Sequence, residues 1–533
     1  MHFYFLRGSR KLTLKECSVL YKIQFNMYIL NSICEIYSVT NVLLLIAMSA
    51  ILCFLASFYK IRRGKKLPPG PPMIPIFGSL PFLGSEPHKT LSKMRKKYGD
   101  IIGVYLGTKY TVVLNEFSVM KEVFSNSASL DKACEIFSHV PNFGLMKENG
   151  QIWQEQRKFF VSTISELGLG KAYWEEVVKE EVDCFLLYLK ALEGKPTIIS
   201  EALQFSISNN VISFLIGRKL DKEKEKDIIR LSVEFSRAVF EYTGTAKAAA
   251  VVPGLWKILQ VFNIAGYDKA ALMIRDFSEF MRSEILNHQN SNKYHDVRDF
   301  INLYLEKLTS LRKLGLDTYN YSELIIEGNA LALHSGASDL IFASLDWLIR
   351  LMSEFKDVQT KVYEELTQVL GKSEKASYEE RDKIPYTFAV ILEGQRFSDS
   401  VTLISSRRAI RDIQIRGLTI PKGAEISANV WAMHNDPDYW EQPEKFMPER
   451  FLIDNGKKLI RNPPGFAVFS LGRRKCPGEI ISLMEVLLYF TEIIRNFEVS
   501  LAPGLIHDKR VIRGLASILV PQPLCFKERK IIT

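Results

Sequence analysis

A mainly α-helical domain with a minor β region, carried behind one N-terminal membrane-spanning helix, is the fold class the sequence predicts. Three observations predict it. One uncharged apolar run stands near the N-terminus. Strand-like alternation is confined to short stretches. Beyond about Phe117, most of the chain repeats its apolar residues every three to four positions.

The apolar run is Val42 to Tyr59, VLLLIAMSAILCFLASFY. At about 1.5 Å per residue it suits a bilayer, with the flanks adding a turn. Lys60, Arg62, Arg63, Lys65 and Lys66 follow at once, whereas residues 23–41 hold one acid, Glu35, and no Lys or Arg. Positive charge stays on the cytoplasmic side, so the large C-terminal part is expected to face the cytosol. Met27 is a candidate native start. Leu67-Pro68-Pro69-Gly70-Pro71-Pro72 cannot continue a helix and reads as a stiff, extended spacer. The expected organisation is an extension over 1–41, an anchor over 42–59, a basic and proline-rich linker over 60–72 and one large domain over 73–533. Residues 251–261 read either as a second membrane-dipping segment, with Trp256 at the interface, or as a core-packing loop.

Asp100 to Asn115 alternates around Gly107-Thr108 and predicts a β-hairpin. Asp346 to Leu370 has helical periodicity throughout. A strand-like stretch returns over Ile413 to Ile426, with turns at Gly417 and Pro421-Lys422-Gly423.

The 533 residues are 47% apolar and 24% charged, ordinary for a globular protein. Seventy Lys and Arg against sixty Asp and Glu give a net charge of +10. No zinc-finger spacing and no aromatic-basic box accompanies it, so nucleic acid is not the expected partner. The seven cysteines are odd in number, irregular in spacing and free of any C-x-x-C. That excludes the usual signatures of a disulfide framework, a zinc site and a covalent haem attachment.

One cysteine stands apart. Residues 469–478 read Phe-Ser-Leu-Gly-Arg-Arg-Lys-Cys-Pro-Gly. Three cationic residues precede Cys476, which favours thiolate over thiol. Glycines bracket the site, and the helix-like run Glu479 to Ile494 would add its positive N-terminal dipole. A lone thiolate suits axial ligation of a haem iron. The run resembles the haem loop of the cytochrome P450 superfamily, F-x-x-G-x-R-x-C-x-G, with Phe469, Gly472, Arg474, Cys476 and Gly478 in all five fixed positions. The resemblance covers about residues 60–530, and FKDVQTKVYEEL over 355–366 is similar to the animal microsomal branch.

The resemblance implies haem b held by Cys476, with Phe469 shielding the sulfur and Arg474 on a propionate. Trp153 and Arg157, a W-x-x-x-R, would reach the propionates, as would Arg407 or Arg408. Glu393 and Arg396, an E-x-x-R, with Arg450 would form the family's buried structural triad. Alone, such a pair is a common surface feature. His434 reads as structural.

On the helix crossing the haem's distal face the family carries A/G-G-x-D/E-T-T. This chain has Gly336-Ala337-Ser338-Asp339-Leu340-Ile341. The acid is Asp339, but leucine replaces the threonine and cannot hydrogen-bond. Asp339 and Ser338 are therefore the candidate catalytic residues, with Ser335, water or the substrate's own hydroxyl as substitutes for the threonine. Three readings stay open. One is an endoplasmic-reticulum monooxygenase of lipophilic steroids, fatty acids or foreign compounds, using O2 and NADPH electrons from a flavoprotein reductase, with cytochrome b5 as a second donor. Arg473, Lys475 and Lys158 would form its basic docking face, or are simply solvated. Another is a haem-thiolate isomerase or dehydratase. The third is a catalytically silent haem- or lipid-binding protein.

Overall fold

The computed structural model describes residues 64–529 apart from 134–143, 168–171, 252–260, 262–266, 291–297, 372–374, 405–406 and 515, with isolated positions before 64. The chain divides into two units, Met1–Gly64 and Lys65–Thr533. Among the described residues no helix is long and apolar enough to cross a membrane. The span expected over 42–59 and the segment 251–261 lie almost wholly outside them.

The second unit opens with the proline-rich spacer docked on the first hairpin. The Gly103 amide donates to Pro69 O at 2.9 Å, and a Cβ on Gly70 would sit 1.7 Å from Gly103 O. Only glycine permits that approach. Then follow α1 (Pro87–Tyr98), β1 (Ile101–Leu106), β2 (Lys109–Leu114), α2 (Phe117–Ser125), β3 (Asp131–Lys132), α3 (Gly144–Lys147), α4 (Gly150–Leu167), α5 (Ala172–Ala191), α6 (Ser200–Ile216), α7 (Lys226–Val251), α8 (Tyr267–Asn290) and α9 (Phe300–Lys313). The predicted hairpin is present: β1 pairs antiparallel with β2 from Ile101↔Leu114 to Leu106↔Lys109, turning at Gly107 with φ +60°.

The longest helix, α10 (Glu323–Glu354), starts where the Ser322 hydroxyl accepts the Ile325 amide. It runs through the core, packed on α3, α6, α7 and α8. The continuous periodicity predicted over 346–370 is interrupted. Phe355 adopts φ −98° and ψ +79°, ending α10 before α11 (Lys356–Leu370) begins. The Phe355 ring stacks on Phe446 at 5.0 Å, and that tertiary packing overrides the local helical pattern.

After α12 (Pro385–Phe397) come β4 (Arg407–Arg408), β5 (Ile413–Ile415), β6 (Leu418–Ile420), β7 (Glu425–Ala428), α13 (Val430–His434), β8 (Leu452–Ile453) and β9 (Lys458–Leu459). The strand-like stretch over 413–426 divides between two sheets. β5 and β6 form their own hairpin, turning at Arg416 and Gly417, both at positive φ. β7 instead joins the five-stranded sheet, ordered β1-β2-β7-β4-β3. The chain closes with α14 (Glu479–Asn496), β10 (Phe497–Leu501), β11 (Val511–Arg513), β12 (Ser517–Leu519) and β13 (Leu524–Glu528).

Candidate active site

The cysteine loop lies between the end of α2, the β3–α4 region and the start of α14. Glycine is required at position 472. It has φ +73°, and a Cβ there would stand 2.2 Å from Phe124 O. Gly478 has ordinary φ, and its missing side chain leaves the flank of the sulfur open, since a Cβ would lie 4.0 Å from Cys476 Sγ. The Cys476 amide donates to Phe469 O at 2.8 Å, closing the loop below the thiol.

Three guanidiniums converge beside it. Arg474 stacks on Trp153 at 3.8 Å and donates to Leu130 O, Glu148 O and Asn149 Oδ1. Arg157, on the next turn of α4 from Trp153, donates to Lys475 O at 2.6 Å. Arg407 is 1% exposed, lies 3.5 Å over the Phe124 ring, and donates to Phe124 O, Ser470 Oγ and Leu471 O. Of the consecutive pair, Arg407 therefore turns toward the loop, while Arg408, half-buried, alternates to the other face of β4. Burial pulls the Arg407 pKa down to about 9, helped by Arg474 and Arg157. Among the described residues no carboxylate pairs with Arg157 or Arg407. Mutually repelling buried cations call for an anionic group between them. A flat tetrapyrrole with two propionates fits that demand, with the Cys476 thiol beside the same space.

The cationic flank does not by itself produce the thiolate. Burial pushes the Cys476 thiol up, against the Gly478 amide, Arg157 and Lys132. A metal cation on the sulfur deprotonates it outright.

Glu393, Arg396 and Arg450 meet in the interior. Arg396 grips Glu393 with two bonds, 2.7 and 2.8 Å, and the side chains of both are 0% exposed. Arg450 Nε reaches Glu393 Oε1 at 3.2 Å. Arg396 also donates to His434 O, and His434 Nε2 accepts the Ala467 amide, which links the cluster toward the cysteine loop. Burial holds His434 down at about 3, so it is neutral there.

The candidate catalytic residues lie on α10. Asp339 does not share a face with Leu340; it points to α6, where Gln204 Nε2 donates to Oδ1 at 3.3 Å. Its other oxygen has no partner among the described residues, and burial raises its pKa to about 7, against the Gln204 hydrogen bond and the field of exposed Arg237. The buried Ser338 hydroxyl has no partner either. Ser335 is committed to the carbonyls of Leu331 and Ala332. Leu340 packs instead with Ala343 and Ala516. Gly336, one turn before it, opens onto Met146 Sδ, 3.8 Å from where its Cβ would be.

Sequence reasoning did not find Phe124, Lys132, Asn149, Gln204 or Ala516; none sits in a motif. A grouping of Glu86, His88 and Asp399 has ligand atoms within 4.8 Å of one another, but Lys89 and Arg513 already neutralise Glu86.

The cytochrome P450 family model matches residues 68–525. The chain belongs to the cytochrome P450 family. Cytochrome P450 2F2 of mouse is 31% identical over 483 residues, covering 87% of this chain and 94% of the relative. Cytochrome P450 2G1 of rat is 28% identical, covering 92% and 99%. Cytochrome P450 18a1 of Drosophila melanogaster is 27% identical, covering 86% of each. As a cytochrome P450, the chain is a haem-thiolate monooxygenase that binds haem b and acts with O2 and a redox partner.

Proposed function

We propose that the chain oxidises small lipophilic molecules of the steroid, fatty-acid or foreign-compound kind at the endoplasmic reticulum, with NADPH electrons passed by a membrane flavoprotein reductase and cytochrome b5 as a second donor. The uncharged run 42–59 and the basic cluster after it support a single-pass anchor with the catalytic unit in the cytosol. The observation that carries the reading is the convergence of Arg157, Arg407 and Arg474 beside Cys476, with no carboxylate on Arg157 or Arg407 among the described residues.

Haem bound there would supply oxygen activation, with Cys476 as the thiolate that would hold it. Arg157, Arg407 and Arg474, the last stacked on Trp153, would hold the propionates, and Phe469 and Gly478 shape the space at the sulfur. Glu393, Arg396 and Arg450 brace the segment that carries the loop. The apolar face of α10 at Gly336 and Leu340 lines the substrate side. Asp339 holds a proton near neutral pH, and the unpartnered Ser338 hydroxyl is free to accept or donate one. Exposed Arg473 and Lys158, with Lys475, which pairs with Glu479, supply positive charge to the face offered to an acidic reductase.

Leu340 favours a second reading, a haem-thiolate isomerase or dehydratase needing neither O2 nor reductase. The carbon-monoxide difference spectrum of the full-length protein separates the two. A red-shifted thiolate–CO band with NADPH and reductase, matching a dithionite control, is the expected result. A band with dithionite alone favours the isomerase, and haem without such a band refutes the Cys476 assignment.

A further inference from the structure

The hairpin of β11 and β12 is only three residue pairs long, too short to place itself. Side chains of α10 place it. Trp347 Nε1–H donates to Ser517 O and Arg350 Nη2–H to Val520 O, each at 3.0 Å, so β12 is tethered at both ends. The Ser517 amide in turn donates to Ser400 O at 2.8 Å. Next to the tethered Ser517 is Ala516. It packs on Ala343, with half-buried Leu340 and Ile518 around the pair. Alanines carry no flexible atoms to absorb a displacement, so movement of the hairpin changes the gap to Leu340 directly.

We propose that Trp347 and Arg350 are positioning residues for substrate selection. Through the Ser517 and Val520 carbonyls they fix how far Ala516 stands from Leu340. They thereby hold the substrate space narrow and favour flat apolar molecules over bulky ones. The proposal rests on the reading of the Leu340 face as the substrate side. Neither residue touches substrate.

The test uses the haem-loaded full chain and two nitrogen ligands of the iron, imidazole and a bulky triarylmethyl imidazole, titrated by the shift of the Soret band. Trp347→Phe keeps a ring and loses the N–H. The dissociation-constant ratio, bulky over small, is expected to fall about fivefold, as one lost hydrogen bond implies at 1.4 kcal/mol per decade. Arg350→Met moves the ratio the same way. Ala516→Val raises it, and its effect is non-additive with Trp347→Phe, because both act on one gap. Amide hydrogen exchange at 517–519, which needs no haem, quickens in Trp347→Phe. An unchanged ratio in both tether variants, or additive effects with Ala516→Val, overturns the proposal. A wild-type protein that gives no Soret shift with imidazole overturns the haem-thiolate reading instead.

Discussion

Replacing Arg396 with leucine removes the centre of the buried triad. Glu393 loses bonds of 2.7 and 2.8 Å and keeps Arg450 Nε at 3.2 Å and the Met447 amide at 2.9 Å. The carbonyls of His434 and Pro443, which Arg396 serves at 2.7 and 3.0 Å, lose their donor, and Lys445 O, at 3.3 Å from Arg396, keeps only Arg450 Nη2. With the Glu393 and Arg396 side chains fully buried, water does not compensate. Breaking a buried pair from one side costs about 3–5 kcal/mol, a large part of the roughly 5–15 kcal/mol that stabilises a typical domain. The damage falls on the segment that leads through His434 to the cysteine loop, so haem occupancy falls with stability. The assay is the haem-to-protein ratio of purified Arg396→Leu with its urea midpoint. Arg396→Lys restores charge but not the two-pronged grip, and should rescue only part of either. A full haem complement with an unchanged midpoint in Arg396→Leu would refute the reasoning.

Gly472→Ala places a Cβ 2.2 Å from Phe124 O at φ +73° and should cost at least about 2 kcal/mol, read as a lower melting temperature and weaker haem retention. Asp339 gives a pH signature. The unfolded chain releases this proton near 3.8, whereas the folded chain keeps it up to about 7, so stability falls as pH rises between the two. The fall is roughly 4 kcal/mol at 1.36 kcal/mol per unit. Asp339→Asn should flatten that part of the profile of urea midpoint against pH; parallel profiles for variant and wild type would sink the assignment.

Much of the site was legible because its parts are consecutive or one helical turn apart: the cysteine loop, Trp153 with Arg157, Glu393 with Arg396. Their neighbours were not. Phe124 meets Arg407 across 283 residues and Leu130 meets Arg474 across 344, and no local pattern encodes such pairings. The choice between Arg407 and Arg408 depends on the phase of a two-residue strand, which only its partners β3 and β7 decide. The stop at Phe355 escaped periodicity because its cause, the Phe446 ring, lies 91 positions away. The proline-rich spacer read correctly as extended, but its docking on β1 depends on Gly103, some thirty residues on.

The same long separations order events in time. Arg157 binds the Lys475 carbonyl 318 residues further on, and Arg474 reaches back to residues 130–149. At about 5–20 residues per second, a ribosome finishes nearly nine-tenths of the chain before the second half of this cradle exists. Cofactor capture is therefore a closing step of folding, joining two ends of the catalytic unit. A chain truncated before Cys476 leaves the cations of its first half waiting for an anion.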